Sequence, residues 1–282
     1  MTYKTVFVSP IFSSSADDKG PSEALARYAI GLAAAQGAHL SIALGCIRLF
    51  APAAIMLREA RGMIAKANDD RKSQAKTYGE SLMARASASG VTASLDLYQE
   101  EYGKLCSHVA YLGRYADVTI MEADAGNVSL HQGVLEEVLF ESGRPVIIVP
   151  PSWSGTADVE KAIVSWDGSA KAARALGDAM PLLSQSSEVE IVSISGDPDA
   201  SKRIDAAGIA PHVSRHCKKV TVTSLPAQGN DVAATLSSHA KLCRADLLVM
   251  GAFARPKLRQ LILGGVTSSM LTNPPCPVLM SY

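Results

Sequence analysis

The chain has 282 residues, more than one typical domain needs, so two domains are the first expectation. Hydrophobic residues make up 48% and charged residues 19%, as in a soluble globular protein, and 27 Lys plus Arg balance 27 Asp plus Glu, which excludes a global positive field for recruiting nucleic acid or an anionic membrane. No apolar stretch is long enough to cross a bilayer, and the opening Met1-Thr2-Tyr3-Lys4 lacks the basic and apolar regions of a signal peptide, so a cytoplasmic protein is expected.

In chain order, a first strand is predicted over Lys4-Thr5-Val6-Phe7-Val8-Ser9. A long helix is predicted at roughly 55–89, rich in Ala, Arg and Lys, and reads as a solvated amphipathic helix rather than a nucleic-acid patch. The run Asp117 to Met121 predicts a strand ending at Met121-Glu122-Ala123-Asp124-Ala125-Gly126, and Val146 to Val149 predicts another. The stretch Pro150 to Thr156 has linker composition. Beyond it, strands are predicted at 161–166, 188–194, 219–224, 246–250 and 277–281, with helices at 170–184, 200–217, 229–243 and 265–273. Alternating strands and helices imply a parallel sheet covered on both faces.

The chain repeats itself. Arg114-Tyr115-Ala116-Asp117-Val118-Thr119-Ile120-Met121 is echoed by Arg244-Ala245-Asp246-Leu247-Leu248-Val249-Met250, and Pro145-Val146-Ile147-Ile148-Val149 by Pro277-Val278-Leu279-Met280. Two copies of one domain, 1–151 and 157–282, is the economical reading.

The five cysteines, Cys46, Cys106, Cys217, Cys243 and Cys276, are dispersed, without a CxxC pair, and read as reduced thiols. His212 and His216 stand four apart on a predicted helix, but without a third ligand nearby in sequence they read as polar side chains facing water, and no metal site is expected.

In such sheets ligands bind beyond the carboxyl ends of the strands. After the first strand of the second copy comes Ser165-Trp166-Asp167-Gly168-Ser169, in which Asp167 either accepts from a ribose hydroxyl or only helps to cap the next helix, with Ser169 as N-cap. After the fourth comes Gly251, a basic connector, then Gly264-Gly265 opening a helix. Paired glycines around a connector let backbone N–H groups approach an anion; the plain alternative is two turns that need glycine.

Residues 158–282 resemble a universal stress protein domain in the Asp-Gly-Ser at 167–169, in Ala245 to Gly251, in Leu263-Gly264-Gly265-Val266-Thr267 and in the closing Pro277 to Met280. The first copy resembles the family in outline. The resemblance implies two flavodoxin-like α/β domains in tandem, each a doubly wound, parallel five-stranded sheet, with the last strands pairing across a pseudo-twofold axis. It also implies ATP, with Mg2+, in the second copy: Asp167 on the ribose, Met250 near the base, and Gly251, Ala254, Gly264, Gly265, Val266 and Thr267 along the phosphates. Nucleotide-binding members carry Gly, two residues, Gly, nine residues, then Gly and Ser or Thr; here Ala254 replaces the second glycine and Gly265 the hydroxyl residue. Pro256 fits the first turn of a short helix from Lys257 to Leu263, and Lys257 and Arg259 offer compensating charge.

The first copy has no aspartate in Ser9-Pro10-Ile11-Phe12-Ser13; Asp17 and Asp18 come later, Glu122 and Asp124 stand where glycine is wanted, and Leu135-Glu136-Glu137 replaces the glycine pair. A triphosphate is not expected there. No catalytic motif is present, so the expected function is a non-catalytic, nucleotide-responsive signalling or stress-protection module. The alternatives are a ligand-free dimeric interaction scaffold and, less favoured, a slow ATP hydrolase. The expected partners are an adenine nucleotide and a second copy, or the other domain, of this chain.

Overall fold

The structure is a computed structural model that describes residues 2–12, 20–50, 58–123, 130–195, 206–229, 231–252, 254–257, 260–263 and 265–282. The first half runs β1 (Thr5–Val8), β2 (Ile11–Phe12), α1 (Glu23–Gln36), β3 (His39–Ile47), α2 (Arg58–Ala88), β4 (Ala93–Glu100), α3 (Tyr102–Gly113), β5 (Val118–Glu122), α4 (Leu130–Glu141) and β6 (Val146–Val149). The second runs β7 (Lys161–Ser165), α5 (Ala170–Leu183), β8 (Glu188–Ser195), α6 (Ala206–Val213), β9 (Val220–Pro226), α7 (Val232–Cys243), β10 (Leu247–Gly251), β11 (Ala254–Lys257), β12 (Gln260–Leu263), α8 (Gly265–Thr272) and β13 (Val278–Ser281). Side-chain oxygens set the helix starts: Ser22 accepts from the Leu25 N–H, Ser169 from Ala172 and Asp231 from Ala234. Gly37, left-handed at φ 60°, closes α1.

Ten strands form one path, β2-β3-β1-β5-β6-β13-β10-β7-β8-β9, and β4, which also pairs with β3, completes an eleven-stranded sheet. Within each half the main strands are parallel. β6 and β13 pair antiparallel, Ile147 opposite Leu279 and Ile148 opposite Val278, so the two last strands join the halves and hide both edges, as the resemblance implied. The doubly wound parallel class is observed. Within that class, the order of the main strands in each half is 3-2-1-4-5, which differs from the flavodoxin order 2-1-3-4-5. The difference follows from where the second crossover lands: β4 and β9 add outside β3 and β8 rather than beside β1 and β7.

The echoed aspartates explain the repeat physically. Asp117 Oδ2 accepts from the N–H groups of Lys4 (2.6 Å) and Thr5 (2.9 Å), and Asp246 Oδ2 accepts from Glu160 (3.1 Å) and Lys161 (2.9 Å). Each carboxylate ties the start of the first strand in its half to the start of the fourth. Hydrogen bonds to a charged acceptor contribute about 1.5–3 kcal/mol when buried and less at these half-exposed positions.

Two hydrophobic layers cover the sheet. One gathers α1, α2, α5 and α6, through residues such as Leu25, Ala75, Leu176 and Val213; the other gathers α3, α4, α7 and α8, through Leu105, Val138, Leu236 and Met270. Each layer runs unbroken across the β6–β13 joint. Polar contacts add to it: the Tyr3 hydroxyl donates to the Asp178 carbonyl (2.7 Å), Arg174 to Gly143 (2.6 Å) and Arg27 to the Trp153 carbonyl.

The predicted helix at 55–89 is α2, described from Arg58. The helix expected over 200–217 is α6, Ala206–Val213; 200–205 lie outside the described residues, and past Val213 the chain turns, the Cys217 N–H donating back to the Val213 carbonyl. His216 is therefore beyond the helix, its ring 5.2 Å from that of His212 in an edge contact. No helix among the described residues is long and apolar enough to cross a membrane.

Candidate functional site

The strand order reverses between β1 and β5 in the first half and between β7 and β10 in the second, which makes two equivalent crevices beyond the strand ends. In the second, β7 runs into Trp166 and Asp167, and Gly168 turns the chain at φ 74° into α5. Asp167 is exposed; its Oδ1 accepts from the Ser169 N–H at 2.9 Å, so one oxygen serves the turn that caps α5. Ser169 is the N-cap, as predicted.

Across the crevice, Gly251 ends β10. A Cβ there would lie 2.8 Å from the Ala172 nitrogen and from the Lys171 carbonyl carbon, so the first turn of α5 packs where any other side chain would stand. This glycine has a packing reason that the sequence does not reveal. The next amide, of buried Ala252, donates to the Ser281 carbonyl at 2.8 Å. Met250 is buried at 5% exposure in the layer with α7 and α8. Gly265 opens α8, exposed and with open space where a Cβ would be; Val266 is half-buried and Thr267 buried. Gly264 lies outside the described residues.

The connector differs from expectation. Instead of a helix from Lys257 to Leu263, the backbone forms an antiparallel pair, Ala254 opposite Leu263 and Lys257 opposite Gln260. The reason is local: a residue before proline is pushed toward extended backbone, which sets Arg255, and Leu261-Ile262-Leu263 favours a strand. Ala254 is thus a strand residue. Arg259 lies outside the described residues.

The first crevice is built differently. Counting from the equivalent aspartates Asp117 and Asp246, Glu122 takes the place of Gly251 and Ser9 to Ile11 that of Ser165 to Asp167. The chain after β1 forms β2, paired with β3, so Ile11 is buried where Asp167 is exposed. Both oxygens of Glu122 accept from the Ser22 N–H, at 3.2 and 3.1 Å, just ahead of α1. Among the described residues a cavity of about 20 Å³ lies there, lined by Ser9, Ile11, Pro21, Leu25, Met121, Glu122 and His131. Asp17, Asp18 and Asp124 lie outside the described residues; Glu136 sits on α4, accepting from Gln132 at 2.8 Å.

Residues 159–281 match the universal stress protein family. This half of the chain belongs to that family. A universal stress protein from Archaeoglobus fulgidus is similar over 98% of this chain and 97% of its own, at 17% identity and a TM-score of 0.72. A functionally unknown protein from Pseudomonas aeruginosa is similar over 99% of this chain and 92% of its own, at 12% identity and a TM-score of 0.57. At these identities the likeness establishes the fold, and it extends through both halves. No curated protein matches the chain.

In this universal stress protein fold a larger cavity, about 280 Å³, lies at the opposite pole, at the joint of the halves, between Gln36, Glu160, Leu182 and Gln185. The five cysteines are free, all buried except half-buried Cys243. Burial pushes the Cys46 thiol up to about 11 and the Cys276 thiol up to about 12, so neither is a nucleophile at neutral pH. Sequence reasoning missed one cluster: Glu190 of β8 meets His239 and Cys243 of α7. His239 and Cys243, four apart on a helix, were its only sequence signal.

Proposed function

We propose that the second half binds an adenine nucleotide, ATP with Mg2+, and that the chain works as a non-catalytic, nucleotide-responsive module in stress signalling or protection. The observation that carries this reading is the contrast between equivalent positions: Glu122 against Gly251, and buried Ile11 against exposed Asp167. In the first crevice an internal carboxylate already accepts the amide at the head of α1 and would repel a phosphate. In the second, no side chain stands at that position, and Asp167 uses one oxygen for Ser169, which leaves Oδ2 for a ribose hydroxyl. The start of α8 at exposed Gly265 offers first-turn N–H groups and the positive end of a helix dipole to the phosphates, with Val266 and Thr267 next in the helix; Gly264, outside the described residues, belongs to the same proposed set. Buried Met250 shapes the floor under the base.

A ligand-free scaffold is the competing reading, favoured by the packing role of Gly251 and by the use of the Ala252 amide in the sheet. Mass spectrometry of small molecules released from purified, unheated protein separates the two: an adenine nucleotide is expected, and its absence together with no response to added Mg-ATP sinks the nucleotide reading. Turnover is not part of the proposal, and phosphate release from Mg-ATP should stay at background.

A further inference from the structure

His239 and Cys243 lie one turn apart on α7, which puts both side chains on one face. That face meets β8 at Glu190, whose side chain is only 9% exposed. His239 Nε2 is 3.0 Å from Glu190 Oε1 and 3.5 Å from Cys243 Sγ, and Cys243 Sγ is 3.7 Å from Glu190 Oε2. A tetrahedral zinc ion with bonds of about 2.0–2.3 Å holds its ligand atoms about 3.3–3.6 Å apart. One ligand atom from each of the three residues lies within 4.8 Å of the other two, and the two His239 contacts come within a few tenths of an ångström of those dimensions.

We propose that Glu190, His239 and Cys243 form a binding site for a zinc-class divalent ion, with a fourth coordination position open to water. Among the described residues this is the one group of three such side chains whose ligand atoms lie within 4.8 Å of one another. The donor set of one nitrogen, one sulfur and one carboxylate suits zinc or cobalt and not calcium or magnesium, which take oxygen. His239 and Cys243 are partly exposed, so an ion can reach them.

The surroundings hold the carboxylate as a ligand. The Thr223 hydroxyl donates to Glu190 Oε1 at 2.6 Å and fixes its orientation. A thiol binds such an ion as the thiolate, so the ion must displace the Cys243 proton. Lys161 Nζ stands 4.0 Å from Glu190 Oε2 and opposes a cation; at 28% exposure it has water to turn toward.

The test is a titration of the reduced, metal-free full chain with Co2+, followed by competition with Zn2+. One equivalent of Co2+ is expected to give a thiolate-to-cobalt charge-transfer band and the visible bands of a tetrahedral site, both removed by Zn2+. Cys243→Ser is expected to abolish the charge-transfer band. Thr223→Val should weaken binding about tenfold, and Lys161→Met should tighten it, with circular dichroism unchanged in all three. No band in the unmodified chain, a band that survives Cys243→Ser, or a band lost on His212→Ala with His216→Ala overturns the site.

Discussion

Glu122 receives the Ser22 N–H on both of its carboxylate oxygens, at 3.2 and 3.1 Å, so the head of α1 in the first half carries its own anion. In the second half the same strand position is Gly251, against which the first turn of α5 packs directly. The glutamate-for-glycine difference between two equivalent strand ends, with buried Ile11 against exposed Asp167, therefore distinguishes a crevice that holds its own carboxylate from one bordered by backbone and by Asp167.

Gly251→Ala tests that packing. Its new Cβ meets backbone atoms of Lys171 and Ala172 at 2.8 Å, which cannot rotate away. A loss of about 1–3 kcal/mol is expected, read as a lower denaturant midpoint with unchanged slope. A neutral substitution would show that α5 does not sit against this strand end.

Gly265→Ser restores the hydroxyl residue found in nucleotide-binding members and has open space for it. Mg-ATP should bind more tightly, and the helix should gain up to about 0.5 kcal/mol from the loss of glycine. Ala254→Gly is expected to do the opposite, because Ala254 pairs with Leu263 in the β11–β12 hairpin and glycine weakens a strand. Calorimetric titration of each single variant reads both signs.

Alkaline pH should destabilise the fold through its buried thiols. Cys276 shifts from 9.0 to about 12 and Cys46 from 9.0 to about 11, chiefly by burial, so between about pH 9 and 12 the unfolded chain has lost protons that the folded chain keeps. Stability is then full below about pH 9 and falls as pH rises through that window. Burial also raises Tyr3 and Tyr28, which act in the same direction. Urea unfolding from pH 8 to 11 should give falling midpoints, with a shallower fall in Cys276→Ala.

Residues 157–282 expressed alone should fold as a domain and dimerise, because β13 loses β6 and presents Val278, Leu279 and Met280, all fully buried in the whole chain, as a bare apolar edge. Sedimentation of that fragment reads the outcome; a monomer across the micromolar range contradicts both the domain boundary and the role of the joint.

Much of the fold was legible because the repeat has a local cause. Asp117 and Asp246 recur since each must hold the start of a neighbouring strand, and Val146 to Val149 and Val278 to Met280 recur since each is buried on both faces. Asp167 and Ser169 were legible as residues following a strand. The antiparallel pair of 254–257 with 260–263 was not, because Pro256 suggested the first turn of a helix from Lys257 to Leu263 while Arg255 before it imposed extended backbone. The reason for Gly251 was hidden for a different cause: only the docked α5 shows that no side chain fits. Glu190 and His239, far apart in sequence, meet only once β8 and α7 are packed.

The most direct measurement is calorimetric titration of the full chain with Mg-ATP, repeated on Asp167→Ala and Glu122→Ala. One nucleotide per chain is expected. Loss of the ribose contact in Asp167→Ala should cost about 1.5–3 kcal/mol, roughly a ten- to hundredfold weakening, while Glu122→Ala leaves the affinity of that site unchanged. Two nucleotides per chain, binding indifferent to Asp167, or no detectable heat in the unmodified chain would contradict the assignment of the second crevice.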